Sequence, residues 1–139
     1  MKPRTIGDPL AEAAARIRRY EPREAQAAVE AGAIFVDIRS AEARARDGVI
    51  PGAVHVPRTV LEWRVAPTSQ WRNPVLDDAR LIVVCDHGYS SVLAAATLVD
   101  LGRDTGDVIG GFEAWVAAGL PVGSPGPTPD GLPGMGPLD

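Results

Sequence analysis

Leu81-Ile82-Val83-Val84-Cys85-Asp86-His87-Gly88-Tyr89-Ser90-Ser91-Val92 runs from apolar sequence, through the chain's only cysteine and a short polar stretch, back into an apolar segment that ends at Leu101. The apolar run Leu81–Val84 reads as a buried strand, and Val92 to Leu101 as a helix. Cys85 therefore stands at a strand-to-helix turn. The N–H groups of such a turn and of the first helical turn lack partners, and Gly88 lets the backbone curl until they converge on one anion-sized volume. A sulfur in that volume is favoured as thiolate. An ordinary thiol, with a pKa of about 8.5, is only about 3% ionised at pH 7, so this stabilisation separates a nucleophile from an inert thiol. Most lone cysteines are small buried hydrophobes. The polar, glycine-containing turn directly after Cys85 argues for the reactive alternative.

Outward from this segment the same alternation repeats. Ile34 to Ile38 is apolar and β-branched and ends among the charges Asp37 and Arg39, so it reads as a second buried strand. Ser40 to Arg46 is a short helix capped by Ser40 and closed by Asp47-Gly48. Ala53 to Val56 is a short strand between the Pro51-Gly52 turn and Pro57, and Asp107 to Ile109 another before Gly110-Gly111. Helices are expected from Asp8 to Arg19, from Glu21-Pro22 to Gly32, and from Phe112 to Ala118. Arg58 to Pro74 is a long polar connection carrying Trp63, Trp71, Arg64 and Arg72.

Strands alternating with helices imply a three-layer α/β/α fold around a central, mostly parallel sheet. Sites in such sheets form at the carboxyl ends of the strands. Cys85, Arg39 and Arg58 each follow a predicted strand and are expected to face one crevice.

The chain has 139 residues, a formal charge of −4 and a pI near 5.1. That length is one domain's worth and can bury a core without metal or disulfide support. The acidic balance argues against a nucleic-acid partner. A single cysteine allows no internal disulfide and no cysteine-based zinc site, and His55 and His87 match no metal-ligand spacing. No apolar stretch reaches the length of a membrane span, and Met1-Lys2-Pro3-Arg4-Thr5 is not followed by a signal-peptide core, so a cytoplasmic protein is expected. In residues 123–139, Gly and Pro supply 10 of 17 positions. Such a segment buries too little to offset its ordering entropy. The expected organisation is an N-terminal helical extension over 1–19, one domain over 20–122 and a disordered tail over 123–139.

Four segments, in this order, resemble a single-domain rhodanese-like protein. They are Val36-Asp37-Ile38-Arg39, Gly48-Val49-Ile50-Pro51-Gly52-Ala53, Cys85 through Ser91, and Gly110-Gly111-Phe112-Glu113-Ala114-Trp115 with Ala118-Gly119-Leu120-Pro121-Val122. The resemblance implies a sulfurtransferase of the thiosulfate:cyanide type. Cys85 would take a sulfane sulfur from a small anionic donor such as thiosulfate and pass the persulfide to cyanide, a thiol or a protein acceptor, with no cofactor. It implies further that Asp86, His87, Gly88, Tyr89 and Ser90 complete a six-residue, sulfur-sized loop, and that Asp37 and Arg39 brace the neighbourhood. Ser90 stands where many members carry arginine, and Val49 where the motif usually has histidine. Arg58, following its strand end, is a candidate for binding the donor. His87 would lower the thiol pKa if protonated, or face solvent. Two rivals are a phosphatase of related fold, which needs a wider loop and an arginine clamp, and a non-enzymatic module that binds a partner or senses sulfide or oxidants.

Overall fold

The computed structural model describes residues 2–126. Its centre is the strand β4 (Leu81–Val84), all four residues of which are buried. Each such side chain gains about 1.5–3 kcal/mol by leaving water, which favours the middle of a sheet covered on both faces. Around it lie β1 (Arg18–Tyr20), β2 (Ile34–Asp37), β3 (Val54–His55) and β5 (Thr105–Val108), in the order β1-β5-β4-β2-β3 with every pair parallel.

The alternation of β4 divides the core in two. Leu81, Val83 and Cys85 join Val36 under α4 (Leu61–Val65) and α5 (Ser90–Asp100), whereas Ile82 and Val84 join Phe35 under α2 (Pro22–Glu30) and α6 (Gly111–Ala117). The fold is thus a three-layer α/β/α sandwich. Trp115 anchors the second face, edge-on to Phe35 at 5.3 Å, with its Nε1–H donated to the Pro121 carbonyl at 2.7 Å. α3 (Ala41–Asp47) follows β2 and is capped by Ser40, whose hydroxyl accepts from the Ala43 N–H.

The N-terminal segment differs from its sequence reading. Instead of one helix to Arg19, α1 spans Gly7–Ala14, and Arg18–Tyr20 forms the edge strand β1. In the first turn of α1 the Asp8 carboxylate accepts from the Thr5 N–H at 2.9 Å. α1 docks on α5, with Ala13 packed against Val92 and Ala96. β1 escapes periodicity because it is three residues long and its register is dictated by β5, almost ninety residues away. The strand expected at Asp107–Ile109 begins two residues earlier, at Thr105. The Arg58–Pro74 connection contains a 3-10 turn (Arg58–Val60) and α4, with a second such turn at Pro74–Leu76. At the other end, Gly123 exchanges backbone hydrogen bonds with Val49 at 2.9 and 2.8 Å; from residue 127 the expected disordered tail lies outside the described residues. Among the described residues no helix is long and apolar enough to cross a membrane.

Candidate active site

Cys85 leaves the carboxyl end of β4, and the next turn wraps back over its sulfur. Two main-chain N–H groups reach Sγ, that of Gly88 at 3.1 Å and that of Ser91 at 3.4 Å. The carbonyls point the other way. The Cys85 carbonyl accepts from the Phe112 N–H at 2.8 Å and the Asp86 carbonyl from the Glu113 N–H at 3.1 Å. These are donors of the first turn of α6, which would otherwise lack partners. Amides inward and carbonyls onto a neighbouring helix is the polarity an anion cradle requires.

Two glycines make the fit possible. Gly88 has φ +84°, and a Cβ there would come within 2.5 Å of the Gly110 nitrogen. At Gly111 a Cβ would come within 2.5 Å of the Cys85 carbonyl oxygen. The Cys85 loop and the Gly110-Gly111 turn are thus pressed together, backbone on backbone.

Burial pushes the Cys85 thiol up, but hydrogen bonding from the side chains of Ser91 and Ser90 and from the N–H groups of Ser91 and Gly88 outweighs it. The net result is a thiol pKa below its ordinary value. Cys85 is only 4% exposed, so the hydrogen bonds act in a poorly solvated place where they are strongest.

Behind the cradle lies a polar group that the sequence reading missed. Asp107, fully buried on β5, accepts the Ser91 hydroxyl at 2.7 Å and the Arg19 guanidinium at 2.9 and 3.1 Å. The same Arg19 donates to the Gly88 carbonyl at 2.9 Å. Ser91 adjoined the loop and was visible as a hydroxyl there. For Arg19, at the end of an expected helix, and Asp107, at the start of a short expected strand, the only available signal is charge, which does not specify a partner.

The other nominated residues are distributed as follows. Asp37 and Arg39 are both buried, and the guanidinium donates to both carboxylate oxygens, at 3.1 and 2.8 Å, and to the Gly48 carbonyl at 2.9 Å. Arg39 also lies 3.9 Å over the ring of Phe112, whose N–H holds the Cys85 carbonyl. The pair therefore ties the end of α3 to the start of α6. His87 turns outward, its Nδ1 2.6 Å from Glu113, and lines with Asp86 a cleft of about 450 Å³ beside the loop, shared with Arg46, Asp47 and Phe112. Tyr89 is exposed and Ser90 opens α5. Arg58 pairs with Glu62 one turn on, at 2.8 Å, and among the described residues its hydrogen bond is to that carboxylate rather than to the loop. Trp63 and Trp71 line a separate surface groove with Leu101.

Comparison with known proteins gives a consistent result. The Rhodanese-like domain family model matches residues 21–118. The thiosulfate sulfurtransferase GlpE of Pseudomonas savastanoi pv. phaseolicola is 40% identical over 101 residues, covering 72% of this chain and 88% of the relative. GlpE of Pseudomonas putida is 42% identical over 102 residues, covering 72% and 86%. Among solved structures, a protein of unknown function from Rhodopseudomonas palustris, described as a possible tyrosine phosphatase, superposes with a TM-score of 0.80 at 34% identity over 88% of this chain and 96% of that one. A thiosulfate sulfurtransferase from Pseudomonas aeruginosa superposes with a TM-score of 0.62 at 27% identity, over 78% of this chain and 20% of that one.

Proposed function

The chain belongs to the rhodanese-like domain family, and from that premise we propose that it is a sulfurtransferase whose Cys85 carries the sulfur. The observation that carries this reading is the pair of main-chain N–H groups on Cys85 Sγ. The Cys85 thiolate attacks the outer sulfur of thiosulfate, the sulfur–sulfur bond of the donor breaks, and sulfite leaves with the bonding pair. The terminal sulfur of the resulting persulfide is again an anion, and the same donors stabilise it. Cyanide or a thiolate then attacks that terminal sulfur, giving thiocyanate or a new persulfide and returning Cys85 as thiolate. Every step transfers electron pairs between sulfur atoms and the acceptor, so the scheme calls for no metal or organic cofactor.

Within this reading Asp86, His87, Gly88, Tyr89 and Ser90 shape the cradle, with Ser90 adding a hydroxyl at its helix end. Asp37 and Arg39 hold the supporting elements. Arg58 is engaged with Glu62 and is assigned no part in binding the donor. Thiosulfate as donor follows from the likeness to the relatives named thiosulfate sulfurtransferase GlpE, and cyanide serves as the test acceptor.

Phosphate chemistry is the rival raised by the Rhodopseudomonas neighbour. A phosphatase cradle needs a cation on the transferring phosphoryl group. Cys85 to Ser91 contains no arginine, and Arg19 spends its fork on Asp107 and the Gly88 carbonyl. The test is turnover of thiosulfate with cyanide, followed as thiocyanate, beside hydrolysis of an aryl phosphate. Thiocyanate formation that vanishes in Cys85→Ser is expected; phosphate release that vanishes in the same variant, without thiocyanate, would replace this reading with the rival.

A further inference from the structure

The two residues whose N–H groups reach the sulfur, Gly88 and Ser91, are each gripped a second time from behind. Gly88 is held by its carbonyl and Ser91 by its hydroxyl, and both grips lead to one side chain. Arg19 Nη2 donates to the Gly88 carbonyl at 2.9 Å. Arg19 Nε and Nη2 donate to the two oxygens of Asp107, which takes the Ser91 hydroxyl at 2.7 Å. We infer that Arg19 is a positioning residue for the sulfur site, a single guanidinium on the edge strand that braces both N–H donors of Cys85. The inference rests on the reading of Cys85 as a working thiolate and deepens it.

The fold prepares this bridge. Arg19 and Asp107 are register partners in the parallel pair β1·β5. β1 comes close because its neighbour at 106 is glycine, where a Cβ would stand 2.3 Å from the Arg18 carbonyl oxygen. Asp107 is fully buried, and burying a charged group is costly unless it is paired and hydrogen-bonded. Arg19 and Ser91 supply both needs. Arg19 is thereby a fixed part of the interior network although its side chain is 30% exposed.

The charged and titratable groups around the sulfur come from several elements. β1 presents Arg19, β5 presents Asp107, α5 presents the hydroxyls of Ser90 and Ser91, and the loop carries Asp86 and His87, the latter turned to Glu113. Arg19 also attracts the Cys85 thiolate directly through its charge, while Asp107 brings the opposite sign. Arg19→Lys keeps the cation and removes the fork, so it isolates the part of the effect that runs through the geometry of Gly88 and Ser91. Geometry is also why arginine is required. Its planar fork serves a carboxylate and a carbonyl at once, which the single ammonium of lysine does not reproduce.

The test is the pH dependence of Cys85 alkylation by iodoacetamide in the full chain, for wild type, Arg19→Met, Arg19→Lys and the control Arg18→Ala. Arg18 shares the strand but stacks on Tyr20, 4.6 Å from the ring centre, away from the sulfur. Loss of Arg19 is expected to move the profile to higher pH, with the acidity constant of the thiol falling about tenfold, as when a charge-assisted hydrogen bond is lost. Arg19→Lys should recover only part of the change, and Arg18→Ala should overlay wild type. An unmoved profile in Arg19→Met, or complete recovery in Arg19→Lys, overturns the inference. If the methionine variant does not fold, the lysine variant decides alone: a displaced profile supports the brace and a wild-type profile refutes it. Intact mass after thiosulfate treatment separates the two levels. A persulfide with an unmoved profile removes the brace and leaves sulfur transfer standing; a moved profile without wild-type persulfide does the reverse.

Discussion

Substituting Gly88 by alanine strikes the cradle at its tightest point. The backbone there has φ +84°, which costs an L-residue about 1–2 kcal/mol. The new Cβ would also stand 2.5 Å from the Gly110 nitrogen, 3.0 Å from its Cα and 3.1 Å from the Gly111 nitrogen. All three are backbone atoms that cannot swing aside, so the loop must retreat and carry the Gly88 N–H off the sulfur. A hydrogen bond to a charged group contributes about 1.5–3 kcal/mol, which at about 1.36 kcal/mol per tenfold lowers the acidity constant of Cys85 about ten- to hundred-fold. The assay is the pH profile of Cys85 alkylation, read beside the thermal transition. Gly102→Ala is the matched control, with φ +92° and nothing within 4 Å of its Cβ. It should bear a similar backbone penalty and leave the profile in place. Equal profiles for the two alanine variants would refute the claim that the loop amides hold the thiolate.

Three further outcomes are expected. Arg39→Met should destabilise the protein in chemical denaturation, by less than the ~3–5 kcal/mol of a fully stranded buried charge, because Arg44 and the main-chain N–H of residue 39 still hold the Asp37 carboxylate. Ser90→Ala should reduce thiosulfate turnover only modestly, since the Gly88 and Ser91 amides remain; a loss equal to that of Cys85→Ser would contradict this. His55 donates its Nε2–H to the Arg39 carbonyl at 2.8 Å, and burial, the largest influence, holds its pKa below the ordinary value. Below pH about 6.5 the unfolded chain then takes up the proton before the folded one, so stability falls as pH drops from there toward the folded pKa. His55→Gln should flatten that part of the stability–pH curve.

What could be read in the sequence was local. Leu81–Val84, Cys85 and Gly88 are contiguous, so strand, nucleophile position and turn all fall within one window, and the fold class follows from repeating that unit. Ser40 as a cap was legible for the same reason. Arg19 was not, because its partners Gly88 and Asp107 lie 69 and 88 residues away and meet it only through a three-residue strand. The reading of that strand as the end of a helix followed from the helix-forming alanines before it, since propensity carries no information about which edge of a sheet awaits a partner. Arg58 illustrates the opposite case: its place after β3 suggested the crevice, but a carboxylate four residues on, Glu62 at the start of α4, takes its guanidinium.

The central claim is that inward amides keep Cys85 ready to accept sulfur, and intact mass spectrometry with peptide mapping after incubation with thiosulfate tests it most directly. The account predicts a gain of one sulfur atom, about 32 Da, on the peptide containing Cys85, removed by cyanide or dithiothreitol. An unchanged mass with thiosulfate, mercaptopyruvate and polysulfide alike would contradict it.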